Sequence, residues 1–498
     1  MKAFLISLLL GGGAYIAIHG NTWFPNVLPY YPWAWPGLGV VLFLYAVIQL
    51  LRRNRYGGNR PILRILGLSW SLHFAMRHYF IAGATGKGKT TSGLNMLNIQ
   101  FLKNVSDFGG LFLDDKGVLV ENFLPMAERY GRAKDVVFFN ARDPKCKHRF
   151  NLLGDEKTPA EAYAKLLCDT AQALSGAADK KDPHFDAQAE IYIAQLISAI
   201  RYTGGVPTVR KLLSLLNSPM ELNQMVAILE LSENELARDV QSALHERFLS
   251  ESARDSKETA GVKSTIVNKL QPYVCEPFLE MFNSEATTFT FEQFDEGALV
   301  FLAVPADYST QKRFVNTFLK LLFYLHGLRR FDDIKNIRSK NILILEMDEA
   351  QQMLTAGSGG NGDHEMAAVL REARMTLVMA TQSLNSFLAK LGSEHEVKTL
   401  LASLGTKIFF SPADPEVDAE LISKVVGQHL IQKRTHQDQL GGAASSSYTD
   451  EWKPILEAGE IKTLPDHHAI VTHPNGKFAR GFIQPYDKEG NPFTPASA

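Results

Sequence analysis

Residues Gly83-Ala84-Thr85-Gly86-Lys87-Gly88-Lys89-Thr90 follow the G-x-x-x-x-G-K-[ST] pattern of a phosphate-binding loop. The glycines let the backbone turn tightly, so that successive N–H groups converge on phosphate oxygens beside a helix N-terminus. Lys89 is placed to reach the β- and γ-phosphates, the Thr90 hydroxyl to bind Mg2+, and Thr91 continues the loop into its helix. Such a loop needs an acid delivered from a second strand. The apolar run Ile342–Met347 ends in Asp348-Glu349: Asp348 would hold the metal through its waters, and Glu349 would polarise the attacking water. Glu346 is an odd guest in that run, expected to face a polar or inter-subunit contact. Thr376–Thr381 ends at Gln382, a polar side chain positioned to sense the γ-phosphate. Just upstream, Leu370-Arg371-Glu372-Ala373-Arg374 offers two arginines, either of which could act in trans on the transferred phosphoryl. The plainer reading of that segment is a charged helix with internal Glu–Arg pairs.

These groups need a scaffold. His78–Ala82 reads as a short buried strand feeding the loop, and Lys89–Lys103 is compatible with the helix behind it. Strand-like runs at 110–114, 136–139, 298–304, 342–347, 376–381 and 407–410 alternate with helical stretches, which predicts a mostly parallel α/β sheet flanked by helices. Between about 159 and 290 the pattern is helical throughout, with apolar residues at helical spacing in Ile191–Ile200 and Val209–Leu216. This segment carries 12 basic and 18 acidic residues, a net charge of −6. A free-standing DNA-binding platform should be basic, so a surface for proteins, or simply a solvated helical surface, fits it better. The Gly- and Ser-rich stretches Thr355–Asp363 and Gly441–Ser447 read as a linker and a flexible connection. Ala469–Thr472 and Phe478–Ile483 are short strand candidates, the second an edge strand before Pro485.

Net charge over the 498 residues is −1, which excludes a wholesale basic nucleic-acid coat and an acidic disordered chain. Cys146, Cys168 and Cys275 lie far apart, without the spacing of a disulfide framework or a zinc site. His467, His468 and His473 have no matching ligand set and read as loop or surface histidines. The average charge conceals an asymmetry: residues 1–106 carry ten basic residues and no acidic one, so the remainder sums to −11. Within the basic part lie two uncharged apolar runs, Ala3–Ile18 and Trp33–Leu51, and the second is long enough to cross a hydrocarbon core. Aromatic residues between them suit an interface, and Arg52, Arg53 and Arg55 place the following chain in the cytoplasm. A cleaved signal peptide is the weaker reading of the first run, because its n-region holds only Lys2.

In this order the motifs resemble the type IV secretion coupling proteins of the TraG/TraD family. Beyond the P-loop, the resemblance rests on Leu113-Asp114-Asp115-Lys116-Gly117, His148–Leu153, His184–Ala189, Asp348-Glu349, Glu372-Ala373-Arg374, Ala380–Leu384 and Trp452–Pro465. It implies a RecA-like P-loop domain with an inserted all-α domain and a two-helix membrane anchor. The division would be anchor 1–55, first ATPase segment 56–158, insert 159–290, second ATPase segment 291–440, and a C-terminal linker with short strands at 441–498. It also implies ATP and Mg2+ as cofactors and assembly into a homohexamer in the bacterial inner membrane beside the secretion channel. The cargo would be DNA with a relaxase-like protein, or effector proteins. Among the arginines it places Arg374 ahead of Arg371. Two other readings are an FtsK/HerA-type DNA pump and a nucleotide-latched membrane receptor with little turnover.

Overall fold

The computed structural model describes residues 60–175, 183–254, 256–356, 361–437 and 445–495, together with Val41. Contacts group the chain into two units, residues 1–61 with 70–72 and residues 62–69 with 73–498, and the elements that build the site belong to the second. The expected spans at 3–18 and 33–51 lie outside the described residues. Among the described residues, no helix is long and apolar enough to cross a membrane.

The strands are β1 (Pro61–Ile65), β2 (Leu68–Ser71), β3 (Tyr79–Ala82), β4 (Gly109–Leu113), β5 (Val136–Asn140), β6 (Leu299–Ala303) and β7 (Leu343–Met347). They continue as β8 (Met375–Thr381), β9 (Thr406–Phe409), β10 (Gln428–Gln437), β11 (Ser445–Pro454), β12 (His468–Thr472) and β13 (Phe478–Phe482). Nine of them form one sheet in the order β13-β12-β9-β3-β8-β7-β4-β6-β5. From β9 to β5 neighbours run parallel, while β12 pairs antiparallel with β9 and β13 antiparallel with β12. Every residue of β3, β4, β6, β7 and β8 is buried. Strands covered on both faces must be apolar along their whole length, so they read as continuous runs. Edge strand β13, in contrast, alternates between exposed and half-buried residues.

The register gathers the motifs on one edge. Ala82 lies opposite Thr381 and Phe409, and Met347 lies opposite Leu113 and Met379. The residues that follow these carboxyl ends are the P-loop, Gln382, Asp348-Glu349 and Asp114. Strand β3 sits between β8 and β9, where parallel sheets leave a crevice for ligands.

Between β5 and β6 the chain is helical. The helices Ala160–Leu174, Pro183–Tyr202, Val209–Asn217, Pro219–Glu230, Glu235–Leu244 and Lys257–Leu270 account for most of the segment. Several start on residues whose side chains take up a free amide: Thr208 accepts from Lys211, Ser218 from Glu221 and Asn234 from Leu236. Arg201 fastens the segment to its entry by donating to the carbonyls of Thr158 and Asp155 at 2.8 and 3.1 Å.

Three expectations need correction. Ser445–Ser447 belong to β11, which pairs with β10 over ten residues from Gln428↔Pro454 to Gln437↔Ser445. The boundary between 440 and 441 therefore falls inside an antiparallel hairpin whose tip, 438–444, lies outside the described residues. The Thr355–Asp363 stretch is not a plain linker: Thr355 and Asp363 are buried, and Asp363 opens the helix Asp363–Val369. Gly357–Gly360 lie outside the described residues. Finally, His467 and His473 lie outside helices and strands, as a loop reading expects, but they are buried rather than at the surface.

Candidate nucleotide site

The P-loop leaves β3 with Gly83 pressed against Phe410, where a Cβ would stand 2.7 Å from the Phe410 Cβ. Ala84 N–H donates to the Ser411 carbonyl at 2.8 Å, so the loop is anchored to the end of β9. Gly86 and Gly88 have φ of +82° and +106°, a region that disfavours side chains. A Cβ at Gly86 would meet nothing within 4 Å, so this side of the loop is open. Lys89–Leu94 forms a wide first turn that passes into the helix Asn95–Asn104.

Lys89 is buried, and its Nζ lies 3.3 Å from Glu349 Oε1 and 3.9 Å from Asp348 Oδ1. Glu349 has φ +54°, unusual for a residue with a side chain. That turn aims the carboxylate at two amides as well: Gln382 Nε2 donates to Oε1, and Gln351 Nε2 to Oε2, each at 2.8 Å. Burial acts to raise the Glu349 carboxyl, but the amides of Gln382 and Gln351 and the charge of Lys89 outweigh it and hold it below the usual range. Asp348 differs. Burial pushes it up, and Lys89 only partly opposes the shift. Asp114 is also raised, mainly by burial, although it caps the helix Leu119–Arg129 by accepting from Val118 and Leu119 N–H at 2.8 and 3.1 Å. Glu346 faces a polar contact within its own chain: Asn98 Nδ2 donates to it at 3.2 Å, and burial drives its carboxyl up to about 8.

Thus the P-loop, Lys89, Asp348, Glu349 and Gln382 come together. Arg374 does not join them. It occupies the turn at the opposite end of β8, where its carbonyl accepts from Leu343 N–H at 2.9 Å. At about 3.3 Å per residue, the seven residues of β8 that intervene separate it from Gln382 by roughly 26 Å. Within one chain neither Arg374 nor Arg371, three residues earlier, serves this P-loop.

Two participants escape the motif reading. Gln351 lies in an ordinary helical turn after the acids, and only the fold brings its amide to Glu349. His467 arrives from far along the sequence: its Nδ1 lies 2.9 Å from Ser92 Oγ, and its N–H donates to the Lys87 carbonyl at 3.1 Å. Beside it, Asp466 bridges Lys87 at 2.7 Å, and Tyr486 N–H donates to the Thr91 carbonyl at 3.1 Å. A single histidine between other polar residues carries no period or spacing that would single it out.

The donors suit the expected ligands: an open glycine-flanked loop with a buried ammonium for phosphates, and hydroxyl and carboxylate oxygens for Mg2+. No curated protein matches the sequence. Among solved structures, the unbound bacterial conjugative coupling protein TrwBdeltaN70 is similar, with a TM-score of 0.61 at 14% identity, covering 88% of this chain and 91% of that one. The plasmid coupling protein TrwB in complex with ADP and Mg2+ gives a TM-score of 0.61 at 16% identity, covering 88% and 92%. In complex with the GTP analogue GDPNP it gives 0.59 at 15%, with the same coverage. At such identities the likeness concerns the fold. Membership comes from the sequence itself: residues 51–478 match the model for type IV secretory system conjugative DNA transfer, and the chain belongs to that family.

Proposed function

We propose that this protein is a P-loop ATPase anchored in the bacterial inner membrane, which couples hydrolysis to the transfer of DNA, with a relaxase-like protein attached, into a type IV secretion channel. Effector proteins are the other cargo of this reading, and the inner-membrane parts of the channel and the surrounding lipid are its neighbours. The family match favours it over a chromosome-segregation pump. The observation that carries it is the convergence of Lys89, Gln382 and Gln351 on the Glu349 carboxylate.

Residues Gly83–Thr90 would cradle the phosphates, with Thr91 following, and Thr90 with Asp348 would hold Mg2+. The metal, when bound, neutralises charge on the β- and γ-oxygens. Lys89 would leave Glu349 for the phosphates, because a 3.3 Å contact is easily exchanged. Glu349 then keeps two amide donors but loses its cation, which makes it a better acceptor for a proton from water. Gln382 links Glu349 to the next segment: its neighbour Ser383 donates to Asp418 at 3.0 Å, tying the loop to the helix Val417–Val426. A change at Glu349 is thereby passed on mechanically. Arg374 lies too far away to act in its own chain and would act on the neighbouring subunit's nucleotide in a homohexamer.

The test is DNA-stimulated ATP hydrolysis by the detergent-extracted full chain. Glu349→Gln should lower turnover by about 100-fold or more while nucleotide still binds. Full activity in that variant would remove Glu349 from the mechanism. Steady-state hydrolysis abolished by Lys89→Ala would exclude a mere nucleotide latch.

A further inference from the structure

A second site lies on the opposite edge of the sheet. There the amino ends of β3 and β9, the helix Asp363–Val369 with the turn after it, and the β12–β13 turn line a cleft of about 460 Å³. Arg77, Arg371, Lys407 and Lys477 line it, with Thr472 and His473, and no aspartate or glutamate does. The four cations come from four separate elements: the turn before β3, the turn after the helix Asp363–Val369, strand β9, and the β12–β13 turn. They are therefore not one solvated helix face with a regular charge pattern. Side chains distant in sequence converge on one concavity.

Little within the protein offsets this charge. Arg371 has Glu372 at 4.0 Å, but that carboxylate is well exposed to solvent. Lys407 Nζ gives one proton to the Leu404 carbonyl at 2.7 Å, and an ammonium carries three. Burial pulls Lys407 down to about 8, with no carboxylate contributing to hold it up. Arg77 Nε is buried and makes no hydrogen bond among the described residues. The adjacent His78 adds no charge, since burial lowers it to about 4. Like charges gathered in a concave wall repel one another and focus a positive potential on the space between them. The volume falls in the range of sites for nucleotide-sized ligands.

We propose that this cleft binds phosphate oxyanions, carried either by a small phosphorylated molecule of nucleotide size or by a phosphodiester strand. The site is separate from the P-loop, and the inference holds whatever the P-loop hydrolyses.

The experiment uses the full chain in detergent on a Lys89→Ala background, which removes phosphate binding at the P-loop. Two probes are titrated, pyrophosphate by calorimetry and a fluorescent oligothymidylate by anisotropy. Pyrophosphate should bind saturably, and R371Q/K407Q/K477Q should weaken it at least tenfold while R371K/K407R/K477R retains it. Unchanged oligothymidylate binding in the glutamine variant then identifies a free phosphorylated ligand. If oligothymidylate also weakens tenfold, with a shallower salt dependence, the ligand is a phosphodiester backbone. Arg371 and Lys477 are exposed, so R371Q/K477Q keeps the fold if the triple variant does not, and should lose threefold or more. Equal affinity of both probes for the parent and these glutamine variants overturns the proposal.

Discussion

Four lysines among the described residues are buried with a carboxylate within 4 Å, and two of them, Lys320 and Lys89, are held in opposite ways. Lys320 is wholly inaccessible, and its Nζ lies 2.8 Å from each oxygen of Asp363, 2.7 Å from the Met353 carbonyl and 3.1 Å from Thr355 Oγ1. Asp363 in turn accepts from Tyr324 Oη at 2.6 Å and from Thr355 N–H at 2.7 Å. Every donor and acceptor is used. Lys89 lies on the rim of an open loop, at 3.3 Å from a single glutamate oxygen. A buried pair that is fully hydrogen-bonded is rigid, and removing one partner leaves a charge stranded. A loose pair beside an opening can change partners. The first fixes the chain between Asp348-Glu349 and β8, and the second leaves Lys89 able to take another partner.

Substitutions at each pair tell the two kinds of lysine apart. Lys320→Ala should cost about 3–5 kcal/mol in denaturant unfolding, because Asp363 would be buried without its cation. K320M/D363L should recover part of that loss, since it removes both charges together. A cost below about 1 kcal/mol for the single variant would show that the saturated pair fastens nothing. At the other pair, Lys89→Ala should reduce turnover by about 100-fold, some 3 kcal/mol of transition-state stabilisation. Its unfolding midpoint should barely move, since Glu349 keeps Gln382 and Gln351. Melting as early as Lys320→Ala would erase the distinction between the two lysines.

His78 supplies a buried base to set beside them. Its Nε2 donates to the Ala367 carbonyl at 2.7 Å and its Nδ1 accepts from Leu377 N–H at 3.0 Å, which fixes a neutral ring. Burial lowers its pKa to about 4, so between pH 6.5 and 4 the unfolded chain takes up a proton that the folded one refuses. Stability from this source is complete above pH 6.5 and falls as the pH drops toward 4, by up to about 3 kcal/mol. Thermal unfolding of His78→Gln should show a flatter acid limb than the parent, and parallel curves would contradict the assignment. The smallest effect belongs to Gln351→Ala, which removes one of the two amides from Glu349. Turnover should change by about tenfold or less, and the acid limb of its pH profile should shift upward as the carboxylate loses a donor.

How much of this could be read in advance follows from the same physics. The parallel strands and the P-loop were legible because burial on both faces forces continuous apolar runs and because phosphate binding forces glycines at fixed spacing. Asp348, Glu349 and Gln382 were legible because they stand where those runs end. The β10–β11 hairpin was not, since Gln428–Gln437 and Ser445–Pro454 are largely polar and contain no apolar run. Asp363 was hidden by the glycines and serine before it, and its partner Lys320 sits amid a helix that gives no sign of an acid 43 residues onward. Gln351 and His467 act through tertiary placement alone, which no local pattern encodes.

The clasp of Asp466 and His467 over the P-loop also has a meaning in time. Lys87 and its partner Asp466 are 379 residues apart. At a synthesis rate of about 5–20 residues per second, the loop emerges from the ribosome some 20–75 seconds before the segment that closes over it. Strand β9, which anchors Ala84 through Ser411, also arrives late. A nascent chain therefore carries the phosphate-binding sequence long before it carries a finished phosphate-binding loop. Competence to use nucleotide is deferred until nearly all of the motor has been translated.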